Sequence, residues 1–546
     1  MTTIARSNIH IIAFTFAAAI AMYFIFLPVI NIFFYAGDDF RYAFGNLHQA
    51  CKADDGFEFM LTLGRPIQAY VDCMVFKYAH TVERMSMVRL FSIVLMAGVI
   101  GLLTDYLLGW LSILSAFFMA GSLMLIQHFY VDTILTGSIS LPIALIFALL
   151  SYRSIERMHF YLDHATTIWR MWMKWGILSA IFLMCSLLTY PAITFFFSVL
   201  TLMKLLFSDL KEWIKTRKQL IREVIFFCAI CLIYYIWADY NIHYHALAPV
   251  TQDQYALNHP NFSLSEIIHR LFILENIFSD RWAISPISNT MIQACIMMAF
   301  IVGGCFFSLI KFLRSNFFLY ERKIALITFV QVIMGVLLLI LLCNSFMLIM
   351  PSLILSELRI LFCIVTSGFI LVFWGMRQCS SIFSVELSKS SFIAASGLVF
   401  LITVYQANVF MTASAIACKQ YILFVQRSIS AYLSEEHKLQ RIHYIVSVTD
   451  YPYNKFFLTN VALTPLLGYG NYQLQWCSLP RGVPGKEENH QAEVIACIDR
   501  LPSHGIAVTY SYPEKSFINT SSMVTIDMQQ VSVANYTQQN LKHYFS

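Results

Sequence analysis

Long apolar runs set the terms for this chain. A helix needs about 20 apolar residues to cross the hydrocarbon core of a bilayer. Runs approaching or exceeding that length recur at 8–35, 87–107, 109–127, 138–152, 175–189, 191–207, 223–240, 286–310, 323–350, 360–376 and 390–411. Of 546 residues, 58% are hydrophobic and only 12% charged, with 47 Phe. A soluble fold of this length cannot hide that much apolar surface. The pattern predicts a mainly α protein: a polytopic membrane helical bundle of about eleven spans. The stretch 175–207 is too long for one untilted span, and Tyr190-Pro191 interrupts it. It therefore reads as a hairpin turning at the proline.

Lys and Arg set the orientation. With the N-terminus cytoplasmic, the first run reads as an uncleaved signal-anchor behind Arg6. The basic clusters then fall on one side: Arg153, Arg157, Arg170 and Lys174; Lys204 to Arg222; Lys311 to Lys323; Arg377 and Lys389. The segments left outside are loop 36–86, the connection 128–137, loop 241–285 and everything after about 411. Residues 1–411 form the expected membrane domain. Residues 412–546 have ordinary soluble composition and read as a small extracytoplasmic α/β domain. It would open with a helical stretch over 412–440, followed by β-like runs at 443–448, 506–510 and 523–526. No basic run with interleaved aromatics points to nucleic acid.

Loop 36–86 concentrates the chemistry. It begins Gly37-Asp38-Asp39-Phe40-Arg41 and continues to Leu63-Gly64-Arg65-Pro66. Adjacent carboxylates at a membrane surface are costly unless paired or used. Asp38 and Asp39 are candidate catalytic acids, or else caps where a helix restarts. After Pro66, the residues Ile67, Tyr70, Val71, Met74 and Val75 recur at helical spacing. They predict an amphipathic helix with an apolar stripe, lying in the interface plane. Arg65 and Arg41 suit phosphate oxygens, although Arg65 at a surface also reads as snorkelling to headgroups. The spans otherwise carry almost no ionisable groups, and no rival set of buried acids is expected. Cys51 with Cys73, and Cys477 with Cys497, are candidate disulfides if their segments face an oxidising compartment. His243, His245, Asp253 and His259 fit no tight metal motif, and no metal site is expected there.

Asp38-Asp39-Phe40-Arg41 after the first span, with Gly64-Arg65-Pro66 in the same loop, resembles the GT-C glycosyltransferases. Within them it resembles the bacterial type II glucosyl transferases that decorate O-antigen. Phe129-Tyr130-Val131-Asp132, Tyr190, Glu357-Leu358-Arg359 and Tyr405-Gln406-Ala407-Asn408 are similar too, so the likeness runs to about residue 440. The resemblance implies a multi-pass enzyme of the bacterial inner membrane. It would move a sugar, glucose by the family's habit, from a polyprenyl-phosphate donor to a periplasmic glycan acceptor. It puts the general base at Asp38 or Asp39. Arg65, Arg359 and Arg41 become donor-phosphate ligands, and Asp132, Tyr190 and Glu357 candidate acceptor-binding residues. Asp132 also reads as a cap for the next helix, and Arg359 as an interfacial anchor. No cofactor is implied, although two acids beside a phosphate can hold a divalent cation. Two other classes compete: a lipid-linked oligosaccharide flippase, which would place charges along its spans, and a membrane receptor or structural protein working through its C-terminal domain.

Overall fold

The computed structural model describes residues 2–31, 63–79, 82–126, 139–164, 169–208, 213–244, 290–314, 322–349 and 362–435, the backbone of four strands beyond them, and a few residues between (57, 60, 61, 263, 265, 267–269). The helices are α1 (Thr2–Ile30), α2 (Pro66–Tyr78), α3 (Val82–Leu107), α4 (Ile113–Met124), α5 (Ser140–His164), α6 (Trp169–Thr189), α7 (Pro191–Thr194), α8 (Phe196–Phe207), α9 (Trp213–Tyr244), α10 (Thr290–Leu313), α11 (Arg322–Cys343), α12 (Ser345–Ile349), α13 (Phe362–Ser380) and α14 (Val385–Glu435). The protein is thus mainly helical, and among the described residues eight helices are long and apolar enough to cross a membrane. Of the expected spans, 109–127 and 191–207 fall on shorter apolar helices. The span expected at 138–152 falls on α5, which carries Arg153, Glu156 and Arg157 in its second half.

Small residues let the helices approach closely, as expected where apolar surface alone gives no preference between lipid and a neighbouring helix. Ser151 on α5 and Ser179 on α6 each donate to the other's carbonyl at 2.9 Å. A side chain at Gly304 of α10 would strike the backbone of Gly375 on α13, and one at Gly101 of α3 would strike Thr15 of α1. The large apolar core runs through α1 and α3 to α14. Asn408 on α14 reaches the Ile25 carbonyl of α1 at 3.4 Å.

The chain doubles back at Tyr190-Pro191, where the hairpin was expected. Eight residues along one continuous helix cover about 12 Å. Yet the hydroxyls of Ser186 and Thr194 lie 2.8 Å apart, so α7 folds against the last turn of α6. Tyr190 supplies the bend in extended conformation, with Pro191 opening the next helix.

The helix ends sort into two sets. At one end Ser86 donates to Ile30, Cys363 reaches the Ala192 carbonyl, and α2 sits beside α5, α6 and α9. The other end gathers Arg153, Lys204, Arg217 and Arg377, which the charge rule groups together. There Arg153 pairs with Asp105 at 2.6 Å, Trp213 and Arg217 both donate to Gln331 at 3.0 Å, and Arg377 lies over the Phe207 ring.

This second end overturns one expectation. Glu223 on α9 is fully buried. It receives Lys204 Nζ at 2.6 Å and the Tyr152 hydroxyl at 3.0 Å, with His159 Nε2 3.3 Å away. The spans therefore do hold a buried acid. Glu223 opens the run expected at 223–240, and it sits inside the bundle because the apolar part of α9 extends further, to Lys215.

Helix α14 runs unbroken for 51 residues, through the boundary expected near 411. At about 75 Å it is more than twice as long as a hydrocarbon core is thick. The strands β1 (Tyr444–Thr449), β2 (Gln473–Ser478), β3 (Gly505–Tyr510) and β4 (Met523–Asp527) form one parallel sheet in the order β2-β1-β3-β4. β2 was not anticipated. Parallel neighbours require crossover connections, and these lie outside the described residues.

Candidate functional site

The site is built on the turn that starts α2. Gly64 takes a left-handed conformation with φ of 70°, which a side chain resists. Its N–H donates to Leu61, and that of Arg65 to Met60, both at 2.9 Å. The Tyr234 hydroxyl, from α9, donates to the Gly64 carbonyl at 3.0 Å. A Cβ on Gly64 would lie 2.8 Å from that hydroxyl and 3.3 Å from Ala238. Pro66 then opens the helix, where its missing N–H costs nothing.

This turn delivers Arg65 onto Tyr190. The guanidinium carbon lies 4.3 Å from the centre of the Tyr190 ring, a cation–π contact. Two residues proposed from sequence for different roles, 125 positions apart, thus meet. Tyr190 is 4% exposed, so its ring forms a floor under Arg65. Arg65 Nε is buried with no hydrogen-bond acceptor, and no carboxylate pairs with Arg65 among the described residues. Arg65 as a whole is half-buried, with its guanidinium packed on the ring.

Helix α2 buries Gln68, Ala69, Asp72, Cys73 and Phe76. Of the apolar stripe, Tyr70 and Met74 are 56% and 69% exposed, whereas Ile67, Val71 and Val75 are half-buried, Val71 and Val75 packing against a small core that includes Phe76 and Met85. Gln68 Oε1 is buried without a donor, and Asp72 accepts from the Ser140 hydroxyl of α5 at 3.3 Å. Gln68 and Asp72 were missed as site residues. The signal was there in the spacing of Gln68 and Asp72, one helix face marked by polarity rather than by apolarity.

Cys73 is disulfide-bonded, and none of the described free cysteines is its partner. The expected partner, Cys51, lies outside the described residues, as do Asp38, Asp39, Arg41, Asp132, Glu357, Arg359 and Cys497; Cys477 is described by its backbone alone, on β2. His245, Asp253 and His259 and the side chain of His243 are likewise outside.

The described part of the site is an unpaired guanidinium over an aromatic floor, with a buried amide and carboxylate along the same helix face. Chemically this is an anion-binding arrangement, since a guanidinium N–H without a protein acceptor is ready for a phosphate or carboxylate oxygen. No protein-family model matches the chain, and no curated protein matches it either.

Proposed function

We propose that the protein is a bacterial inner-membrane glycosyltransferase that moves a sugar from a polyprenyl-phosphate donor to a cell-surface glycan on the periplasmic face. One observation carries the reading most directly: Arg65 lies over Tyr190 with a buried N–H that no protein group accepts. A half-buried arginine with a buried, unaccepted N–H and no carboxylate partner among the described residues is a candidate ligand group. In this reading the bundle has about eleven spans, the Arg65 end faces the periplasm and the Glu223 end the cytoplasm. The gathering of basic residues at the Glu223 end supports that orientation. The disulfide at Cys73 fits an oxidising compartment for the Arg65 end. The strands after α14 belong to a small periplasmic α/β domain.

The reaction follows from the groups assigned. Asp38, or Asp39 in its place, takes the proton of an acceptor hydroxyl. The freed oxygen attacks the anomeric carbon. The bond from that carbon to the phosphate oxygen breaks, its electron pair leaving on the phosphate, with inversion at carbon. Arg65, with Arg359 and Arg41, stabilises the charge that develops on the departing lipid phosphate. Asp132 and Glu357 serve the acceptor. Cells expressing Asp38→Asn, Asp39→Asn or Arg65→Ala test this through the profile of their surface glycan. Loss of one side-branch sugar with export intact is the expected result; full glycosylation in both aspartate variants refutes the acid-pair mechanism.

The buried ionisable group around Glu223 favours one alternative, a lipid-linked oligosaccharide flippase, because charges inside spans are what a transport path uses. In that case Glu223→Gln abolishes export of the whole glycan rather than one sugar.

A further inference from the structure

Gln68 poses a question that phosphate binding does not answer. Its amide oxygen is an acceptor, buried at 3% exposure, with no donor in reach. Buried polar atoms without partners are rare and each costs desolvation free energy. Three residues earlier, Arg65 Nε is a buried donor without an acceptor. What completes both is a molecule offering an oxyanion to Arg65 and a hydroxyl to Gln68.

The spacing says more about that molecule. Gln68 and Asp72, four apart, line one face of α2, and Arg65 precedes the helix as its N-cap. From Gln68 to Asp72 the helix rises about 6 Å, the width of a single hexose ring, with the cation at its leading end. Asp72 is 2% exposed and is steadied by Ser140 from α5; a carboxylate accepts from several donors at once. The order along the chain is therefore cation, amide, carboxylate. Hydroxyl-rich rings are bound by amides and carboxylates, and phosphates by guanidinium groups.

We infer that the inward face of α2 is the sugar subsite of the donor, with Arg65 on the phosphate and Gln68, backed by Asp72, on the sugar hydroxyls. The ligand is a lipid-linked hexose phosphate. This rests on the donor reading above, and it makes Gln68 a residue that selects for the sugar.

Binding to the full-length protein in detergent, read by native mass spectrometry and by thermal shift, tests it. The probes are undecaprenyl phosphate, its glucosyl ester, glucose 1-phosphate and phosphatidylglycerol. The wild type should prefer the glucosyl ester to the bare lipid phosphate, and both to phosphatidylglycerol. Gln68→Leu should lose about fivefold of the preference for the glucosyl ester, the worth of one hydrogen bond. It should bind the bare lipid phosphate as before and melt no lower without ligand. Gln68→Glu, which keeps an acceptor, should keep the sugar preference while binding the bare phosphate more weakly. A Gln68→Leu protein that retains the full preference overturns the sugar role and leaves the donor reading standing. A lower melting point in that variant with selectivity unchanged would mean that a buried water bridges Gln68 and that its role is structural. Glucose 1-phosphate binding as tightly as the lipid ester would overturn the lipid-linked class. If neither polyprenyl lipid binds better than phosphatidylglycerol, the donor reading itself falls.

Discussion

At the Glu223 end of the bundle, both carboxylate oxygens have partners: Lys204 and His159 on one, the Tyr152 hydroxyl on the other. Tyr152 is itself wedged edge-on against Tyr106 and Phe197. At the other end, Arg65 and Gln68 are held as firmly, by Tyr190, Tyr234 and the Gly64 turn, yet each keeps a buried atom that nothing in the protein satisfies. Both ends bear the cost of bringing polar groups out of water. One recovers most of that cost inside the chain, as a clamp joining α5, α8 and α9 should, although neither ring nitrogen of His159 makes a well-formed hydrogen bond. The other leaves its cation and its amide open, as a site awaiting a ligand should.

Breaking the clamp should have the largest effect on stability. Glu223→Ala strands the Lys204 ammonium in the core, and removing one partner of a buried pair costs about 3–5 kcal/mol. Unfolding of the purified protein in detergent should show it. The double variant Lys204→Met/Glu223→Leu should recover most of the loss, because no charge is then left unpaired. If the single and double variants are equally unstable, the packing around Tyr152 rather than the charge holds this end.

Arg65→Ala should do the reverse. Its stability should change little, since Arg65 has no ion-pair partner to abandon. Binding of undecaprenyl phosphate should fall by about 10- to 100-fold, the range for a hydrogen bond to a charged group. A large loss of stability with binding retained would make Arg65 a second clamp and dissolve the contrast between the ends.

What could be read from the sequence follows the same divide. The apolar runs placed the eight long helices, and Tyr190-Pro191 placed the turn, because length and proline act locally. The Gly64-Arg65-Pro66 turn was legible for the same reason. The polar members of the buried face of α2 were not, since Gln68 and Asp72 go inward beside Ala69, Cys73 and Phe76 while Tyr70 and Met74 of the apolar stripe stay exposed. Lys204 and Glu223 lie at the ends of the runs expected at 191–207 and 223–240, where their pairing depends on how α8 and α9 pack and not on local sequence. The continuity of α14 was missed although residues 412–435 contain neither Gly nor Pro to stop a helix. β2 escaped because Gln473 and Gln475 obscure an alternation that Leu474 and Trp476 carry.

Gly64→Ala links position to function within the outer end. The left-handed backbone should cost about 1–2 kcal/mol, and the new methyl would meet the Tyr234 hydroxyl. Lipid-phosphate binding should weaken along with stability, whereas Tyr234→Phe, which removes only the hydrogen bond to the Gly64 carbonyl, should weaken both less. If Gly64→Ala melts lower but binds normally, the turn does not aim Arg65.

The finest distinction concerns the floor beneath Arg65. A cation–π contact is worth about 0.5–2 kcal/mol according to how far it is desolvated, and it depends on the ring rather than on the hydroxyl. Tyr190→Phe should therefore bind undecaprenyl phosphate like the wild type. Tyr190→Leu keeps an apolar surface but no ring face, and should bind about fivefold less tightly. If Arg65 is a ligand group, that deficit should vanish when Tyr190→Leu is made in an Arg65→Ala background, because the floor then has nothing to position. A deficit that persists there would give Tyr190 a contact of its own with the ligand, returning it to the acceptor side of the reaction, where the family resemblance first set it.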